Sequence, residues 1–293
     1  MDLNRLRLFH VVAQHGSYSR AAEALDLSQP SVSVQVHQLE RALGTYLFYQ
    51  VGRKLQLTEE GRLLLKYADQ IFALEQRAES AVRELSGLEQ GHLVVGASST
   101  VGTYMLPKVL SEFYRRHPGV EVALEMGTSL EAQEHILGNE QDIAFVGRNI
   151  AHPLLDVAPY AVDKLVFIAP GGHPFGQRAG VTIKELTSEP FVLREKGSIT
   201  RELFEAELGK LGADYEVALE VEGPEGVKQA VAAGLGVAVI SHDAVTWEIQ
   251  AGRLSTVNVP ELALERPLYH VQLKNRPGSR SVDSLLALVN EIG

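Results

Sequence analysis

The sequence predicts an α/β protein with a helical N-terminal module, one long helix and a two-lobed α/β body. Three observations predict it: apolar residues at helical spacing through the first 44 residues, a heptad-like run after Thr58, and apolar strands that alternate with helical segments from residue 91 onward. A chain of 293 residues is long enough for two or three domains.

The composition is that of a globular protein and restricts its class. Apolar residues make up 45% of the chain, and no run approaches the roughly 18 apolar residues that a membrane span needs. The start, "MDLNRLRLFHVVAQHG", has no small-residue cleavage site after its apolar patch, so a cytoplasmic protein with no membrane partner is expected. Zero cysteines exclude disulfides, thiolate metal sites and cysteine nucleophiles.

Charge is distributed unevenly along the chain, whose net charge is −10. The first 66 residues hold eight Lys and Arg against six Asp and Glu, a balance of +2, so the remaining residues carry −12. A slightly basic module on an acidic body suits a protein whose N-terminal part meets a polyanion.

The first 44 residues predict three short helices joined by tight turns. The first runs from Leu3 to His15, and Ser17 or Ser19 can cap the second. Ser28 can cap the third, with Pro30 in its first turn, where a missing N–H costs little. Helices of this size and spacing form a helix-turn-helix.

The third helix has an unusual outer face. Val32, Val36, Leu39 and Leu43 form its apolar stripe, at steps of four, three and four. Pointing away from that stripe are Pro30, Ser31, Val34, His37, Gln38 and Arg41. Most of these side chains are short, and they carry little charge, unlike an ordinary solvated face.

The segment after Gly44 predicts a wing and then a long helix. "YLFYQVGRKLQLT" reads as a hairpin around "VGRK", and Thr58 caps the helix that follows, with Glu59 and Glu60 near its positive end. Residues along one side recur in steps of four and three: Leu64, Ala68, Ile71, Glu75, Ala78, Val82 and Leu85. This seam predicts a helix that dimerises; the alternative is a helix packed on its own domain.

The rest of the chain alternates strands and helices, which is typical of parallel α/β units. The strands are more than one compact lobe needs, so two lobes are expected, with chain crossings near Pro159–Lys164 and Leu264–Pro267. The predicted boundaries are 1–58 for the winged helix-turn-helix, 59–90 for the linker helix, 91–161 with 267–293 for lobe I, and 162–266 for lobe II.

In this order the elements resemble the LysR-type transcriptional regulators. The signature lies in "LRLFHVVAQHGSYSRAAEALDLSQPSVSVQVHQLERALGTYLFYQVGRKLQLTEEG", and "GSITR" resembles the "GSGTR" segment of regulators of carbon-fixation and sulfur-assimilation operons. The resemblance implies a periplasmic-binding-protein-like effector domain behind the helix-turn-helix. It also implies operator DNA, a second copy of the chain (homodimer or homotetramer), a small-molecule effector and RNA polymerase as partners.

The resemblance implies a set of DNA-contacting residues on the second and third helices and the wing. Short polar side chains let a helix approach the major groove closely, and an amide can bond a base edge. Gln29, Ser31, Ser33, Val34 and His37 are expected at or near the groove, with Pro30 beside them, and Ser17, Ser19, Arg20 and Ser28 at phosphates. Arg53 of the wing is expected at the backbone or minor groove. Val34 either contacts a thymine methyl group or is simply an exposed valine.

Three hydroxyl-rich turns, each between a strand and a helix, predict a ligand site in the body. They are "GASSTVGTY", "GTSLEAQ" and "REKGSITREL". Helix N-termini with hydroxyls bind anions, so an anionic effector is expected between the lobes. The candidate residues are Ser98, Ser99, Thr100, Thr128, Ser129, Ser198 and Thr200, with Arg148 and Arg201 as counter-charges. The alternative for each hydroxyl is plain helix capping.

The sequence contains no motif typical of catalysis, metal binding or cofactor binding. "AAGLGVAVIS" contains only Gly-x-Gly, between a helix and a strand, and the histidines have no ligand spacing. No Gly-x-Ser-x-Gly elbow is present, so no enzyme is expected. The alternatives are a solute-binding protein of a transport system and a catalytic α/β domain with a DNA-binding appendage.

Overall fold

A computed structural model describes residues 2–52, 54–84, 91–275 and 278–292. The chain divides into two compact units, with the boundary in the sequence between Glu79 and Ser80. Among the described residues, no helix is both long enough and apolar enough to cross a membrane.

The N-terminal unit is a helix-turn-helix with a two-stranded wing, as predicted. Its elements are α1 (Leu3–His15), α2 (Tyr18–Ala24), α3 (Gln29–Leu43), β1 (Phe48–Val51), β2 (Lys54–Leu57) and α4 (Glu59–Glu84). Ser17, Ser28 and Thr58 each accept a backbone N–H at the start of their helix. β1 and β2 pair antiparallel.

The core of this unit is formed by one face of each of the first three helices. The buried residues include Leu6, Phe9, Val12, Val32, Val36, Leu39, Ala68 and Phe72. Glu40 is also buried, and its carboxylate accepts the backbone N–H of Leu47 at 2.8 Å, which ties the end of α3 to the wing. The last two core residues belong to α4, so the first half of that helix packs on its own unit.

The predicted seam of α4 is exposed only in its second half, at Glu75, Ala78 and Val82. Ala68 is fully buried, and Leu64 and Ile71 are half-buried against the core of the N-terminal unit. The large apolar side chains that α4 exposes are Leu63 (58%), Tyr67 (57%), Leu74 (57%) and Val82 (67%). For the first half of the seam, packing on the helix's own domain, the alternative to dimerisation, is what the structure contains. Leu85 lies outside the described residues.

The second unit is an α/β body. In chain order it contains β3 (Gly91–Ser98), a π-helical turn (Val101–Met105), α5 (Leu106–Arg116), β4 (Val120–Gly127), α6 (Ser129–Leu137), β5 (Ile143–Val146), β6 (Leu155–Pro170), a 3₁₀ turn (Pro174–Gln177), α7 (Ile183–Leu186), β7 (Phe191–Arg194), α8 (Ile199–Leu211), β8 (Val217–Val221), α9 (Gly223–Ala232), β9 (Ala238–Ser241), a 3₁₀ turn (His242–Ala244), α10 (Thr246–Gln250), β10 (Leu254–Val257), β11 (Leu264–Leu273) and α11 (Arg280–Ile292).

The sheets are mixed rather than wholly parallel. β3 pairs parallel with β4 and β5, and β7 pairs parallel with β8, as expected of α/β units. β6 and β11, however, pair antiparallel with each other over ten positions, from Leu264↔Leu165 to Leu273↔Leu155. Both predicted chain crossings lie in these two strands, so the chain passes between the two halves of the body as a paired ribbon. β10 was not predicted.

The body has a separate hydrophobic core on each side of this ribbon. The first, which includes Leu93, Phe113, Phe145, Leu268 and Leu285, joins β3 and β5 to α5 and α11. The second, which includes Phe167, Phe191, Phe204 and Val239, joins β6, β7 and β9 to α8. We call the elements around the first core lobe I and those around the second core lobe II.

Candidate functional site

The start of α2 and the first half of α3 form an exposed surface that carries the predicted DNA-contacting residues. Val32 and Val36 are fully buried, whereas Val34 between them is 54% exposed. This α2–α3 surface contains Ser17, Ser19, Arg20, Ser28, Gln29, Pro30, Ser31, Ser33, Val34 and His37, all exposed or half-exposed. Arg53 lies outside the described residues.

The imidazole of His37 is held in one orientation on this surface. Its Nδ1 lies 2.6 Å from the carbonyl oxygen of Ser33, which can only accept, so Nδ1 donates. The ring also stacks on Tyr18, with 14° between the planes. In the neutral ring, Nε2 is then an acceptor, and it suits the exocyclic amino group of adenine or cytosine.

A cleft of about 530 Å³ lies between the lobes of the body. It is lined by all three predicted turns. The lining residues are Ser98, Ser99, Thr100, Met126, Gly127, Thr128, Ser129, Glu131, Gly147, Arg194, Glu195, Lys196, Gly197, Ser198, Ile199, Glu222, Gly223 and Arg266. Six of the seven predicted hydroxyl residues are therefore brought together.

The three turns differ in what their hydroxyls do. Thr128 caps α6: its Oγ1 accepts the Glu131 N–H at 3.2 Å, while the Glu131 carboxylate accepts the Thr128 N–H at 2.7 Å. This backbone bond is the main reason that the pKa of Glu131 is lowered. Thr100 and Ser198 also precede helices, but neither makes a side-chain capping bond in the described structure. Both residues line the cleft and are buried, at 5% and 9% exposure.

Arg194 brings a nearly buried charge to the cleft at the end of β7. Its Nε and Nη2 donate to the two Glu195 carboxylate oxygens at 2.8 and 2.6 Å, and Nη2 also donates to Ser99 Oγ, on lobe I, at 3.2 Å. Burial would raise the pKa of Glu195, but the hydrogen bonds and charge of Arg194 outweigh it and lower that pKa.

Arg266 brings a second buried charge, from the β11 strand of the ribbon. Its Nε donates to Asp163 Oδ2 at 2.8 Å, and its Nη1 donates to Thr200 Oγ1 at 3.0 Å. Its Nη2 is 2.7 Å from the same Asp163 oxygen, without the alignment of a hydrogen bond. Ser241 donates to the other Asp163 oxygen at 2.7 Å. Burial raises the pKa of Asp163, although Arg266 and Ser241 oppose that effect.

Three predicted effector residues do not line the cleft. Thr200 lies behind it as the acceptor for Arg266. Arg201 is engaged with Glu205 at 2.7 Å and Glu220 at 2.6 Å. Arg148 pairs with Glu202 of lobe II at 2.7 Å. Arg148 and Arg201 both pair with carboxylates that lie outside the cleft lining, and the positive side chains that line the cleft are Arg194, Lys196 and Arg266.

The π-helical turn also contacts α9 through Tyr104. Tyr104 of this turn donates to Glu225 of α9 at 3.2 Å, and the Lys228 ammonium lies 4.9 Å from the centre of its ring. Lys228 is 4% exposed and also contacts Glu248 at 2.7 Å. π-Helical turns occur often at functional sites, and this one directly follows the Ser98–Thr100 turn.

Two family comparisons cover almost the whole chain. Residues 3–62 match the family described as "Bacterial regulatory helix-turn-helix protein, lysR family", and residues 86–292 match the family described as "LysR substrate binding domain". The chain belongs to the LysR family of transcriptional regulators. This family consists of DNA-binding regulators rather than enzymes, and the helix-turn-helix match favours it over a solute-binding protein of a transport system.

Several named proteins are similar to this chain in sequence or in fold. A "Probable RuBisCO transcriptional regulator" of Trichormus variabilis is 35% identical over 96% of this chain and 86% of its own length. The CbnR protein in complex with its target DNA has the same fold, with a TM-score of 0.79, 21% identity and 99% coverage of both chains. The regulatory domain of Synechocystis CcmR in complex with 2-PG is 28% identical, covers 69% of this chain and 97% of its own, and has a TM-score of 0.64.

Sequence reasoning missed the two buried arginines of this LysR cleft. Arg194 ends the apolar run "FVLR", and Arg266 lies next to Glu265 in "LERPL" at a predicted crossing. A buried cation needs a partner, so a charge at such a position signals an ion pair or a ligand. The hydroxyl-based prediction looked only at helix starts.

Proposed function

We propose that the chain regulates transcription by binding operator DNA as a homodimer through the α2–α3 surface, and that a small anionic metabolite in the cleft alters this binding. One observation carries the ligand assignment. Arg194 and Arg266, 8% and 5% exposed, line the same cleft as three hydroxyl-bearing helix starts. Guanidinium groups and helix N-termini together favour a carboxylate or phosphate.

The names of the relatives suggest which operon the chain regulates and which compound to test as its ligand. Several RuBisCO regulators, from Trichormus variabilis to Cyanophora paradoxa, are 34–35% identical over 96% of this chain. This supports an operon for carbon fixation as the target. The CcmR complex makes 2-PG the first compound to test in the cleft.

The homodimer is supported by the exposed stripe of α4. Leu63, Tyr67 and Leu74 are spaced by four and seven residues, which places them on one side of a helix in a heptad register. Three large apolar side chains, each more than half exposed along one helix, are typical of a surface that another helix covers. A dimer would give a symmetric operator.

The ligand assignment is tested by a gel shift on the intergenic DNA beside the chain's own gene, with and without 2-PG. Thr100→Val and Ser198→Ala should each weaken the 2-PG effect at a cost of about 1–3 kcal/mol, because a desolvated ligand oxygen loses its donor. Basal DNA binding should be unchanged. Thr246→Val is the matched control, since this hydroxyl bonds the His242 carbonyl away from the cleft. An equal 2-PG effect in all four proteins would contradict the assignment.

The DNA surface is tested by two exposed residues with different roles. Gln29→Ala should lose discrimination between specific and random DNA by about 1–3 kcal/mol, if its amide reads a base edge. Arg20→Ala should weaken both kinds of DNA evenly and reduce the salt slope by roughly one. The roles would be wrong if both variants lost affinity equally on specific and random DNA.

A further inference from the structure

The cleft of the free protein contains as many carboxylates as cations. Arg194, Lys196 and Arg266 line it together with Glu131, Glu195 and Glu222. An incoming anion therefore does not meet an uncompensated positive surface. Which cation the anion can bind depends on how strongly each carboxylate partner is held by the rest of the protein.

The partner of Arg266 is fixed. Asp163 is 3% exposed, is bonded by Ser241 on its other oxygen, and does not line the cleft. Removing it from Arg266 would leave a buried, unpaired carboxylate, which is strongly unfavourable.

The partner of Arg194 is releasable. Glu195 itself lines the cleft, and its side chain is 32% exposed. It is the next residue along the chain, so rotation of its side chain can bring the carboxylate into water while Arg194 stays in place. Release needs no movement of the buried strand β7.

The position of the Glu195 carboxylate is that of a bound anion. It accepts two bonds from the Arg194 guanidinium and a third, at 3.2 Å, from the Gly223 N–H at the start of α9. Arg194 Nη2 in turn reaches Ser99 Oγ on lobe I. A fork of two guanidinium N–H groups and a helix-start N–H are the donors that recognise a ligand carboxylate or phosphate.

We propose that Glu195 is a specificity-determining residue that competes with the ligand: its carboxylate occupies the anion position at Arg194 in the free protein, and an effector must displace it to bind there. This inference rests on the proposed anionic effector. Its consequence is that a neutral compound gains nothing at Arg194, because it cannot replace the charge that it would expel. An anion with more acceptor oxygens or more charge than a carboxylate replaces Glu195 with a net gain.

The test measures sulfate binding to the full-length protein by titration calorimetry at constant ionic strength, because sulfate keeps its charge near neutral pH. Glu195→Gln should bind sulfate roughly tenfold more tightly than the parent, the scale of a released charge-assisted pair. Glu222→Gln is the matched control: it removes the same charge from the same cleft, but its carboxylate makes no recorded bond to Arg194 among the described residues. It should show a smaller gain.

A second variant guards against misfolding. Glu195→Asp keeps the charge but is one methylene shorter and loses the fork, so it should also bind sulfate more tightly than the parent. Equal gains in Glu195→Gln and Glu222→Gln, or weaker binding by Glu195→Gln, would overturn the competitor role; the latter would mean that Glu195 orients Arg194 for the ligand.

Failure of the proposed function would look different. Sulfate and 2-PG would then bind neither the parent nor Glu195→Gln, or would bind Arg194→Gln as tightly as the parent, and the inference would fall with it. Binding by the parent that is lost in Arg194→Gln, without a gain in Glu195→Gln, would overturn the inference alone.

Discussion

His270 places an ionisable ring where protonation is costly. It lies on β11, beside Phe145 of β5 and Ala158 of β6, and its Nδ1 is buried without a hydrogen-bond partner in the described structure. Burial lowers its pKa, against a smaller opposing effect of Asp156. The neutral ring is therefore the form that the fold accepts.

This lowered pKa has a defined effect on stability. In the unfolded chain His270 takes up a proton near pH 6.5, while in the folded chain it stays neutral to a lower pH. Its stabilising contribution is present above about pH 6.5 and is lost as the pH falls through the folded pKa. His270→Gln should flatten the dependence of the thermal midpoint on pH between 7.5 and 5.5.

The control for this prediction is His242→Gln, which removes a histidine side chain that is about half exposed. It should change the pH profile of the thermal midpoint less than His270→Gln does. An unchanged slope in His270→Gln would show that another group causes the acid sensitivity.

At the level of elements, α4 has two different sides along its length. Ile71 packs against the core of the N-terminal unit, while Leu74, three residues later, is 57% exposed. Leu74→Asp should dissociate the proposed dimer and leave the melting of the isolated chain unchanged, because it adds a charge only to the exposed stripe. Ile71→Asp should instead unfold the N-terminal unit, because a carboxylate would enter its core.

Sedimentation velocity and circular dichroism separate these outcomes. Gln76→Asp, an exposed residue on another side of α4, is the control and should change neither oligomeric state nor melting. A Leu74→Asp protein that sediments like the parent would remove the α4 stripe from the interface.

The elements also indicate what local sequence information can and cannot give. The bounds of α1, the three capping residues of the N-terminal unit and the wing were predicted correctly, because caps and helical periodicity are local signals. The first half of the predicted α4 seam, Leu64, Ala68 and Ile71, instead packs on the core of its own unit. Periodicity identifies an apolar stripe but not the surface that covers it, and two apolar stripes run side by side here.

The same limit applies to the cleft. Hydroxyls at helix starts are local signals, and six of them do line one cleft. Two partners of the arginines are distant in the chain: Glu220 bonds Arg201 across 19 residues, and Asp163 bonds Arg266 across 103. Which cations line the cleft depends on how distant segments of the chain are brought together, so Arg148 and Arg201 were predicted and Arg194 and Arg266 were not.

For the whole body, the response to a ligand is expected to require movement of one lobe against the other. Arg148 of lobe I and Glu202 of lobe II are exposed, 2.7 Å apart, and outside the cleft lining. The chain has no cysteine, so Arg148→Cys with Glu202→Cys gives a unique pair for a short bis-maleimide. The cross-linked protein should keep basal operator binding and lose the effect of 2-PG in the gel shift.

The same double variant treated with a monofunctional maleimide is the control and should still respond to 2-PG. A cross-linked protein that responds as fully as this control would show that the signal does not need lobe movement. Contacts within one lobe would then have to transmit the effect of 2-PG to the DNA-binding unit.

The β6–β11 ribbon also determines which lobe can fold first while the chain is being synthesised on the ribosome. The core of lobe II is built from residues 165–264, a continuous stretch, so it can close before the following residues are made. Lobe I cannot: its core needs Leu268, Val282, Leu285, Leu288 and Val289 beside strands that were synthesised well over a hundred residues earlier. Until α11 emerges from the ribosome, β3, β5 and α5 have an exposed apolar face. Lobe I is therefore the part of the nascent chain that would most need a chaperone.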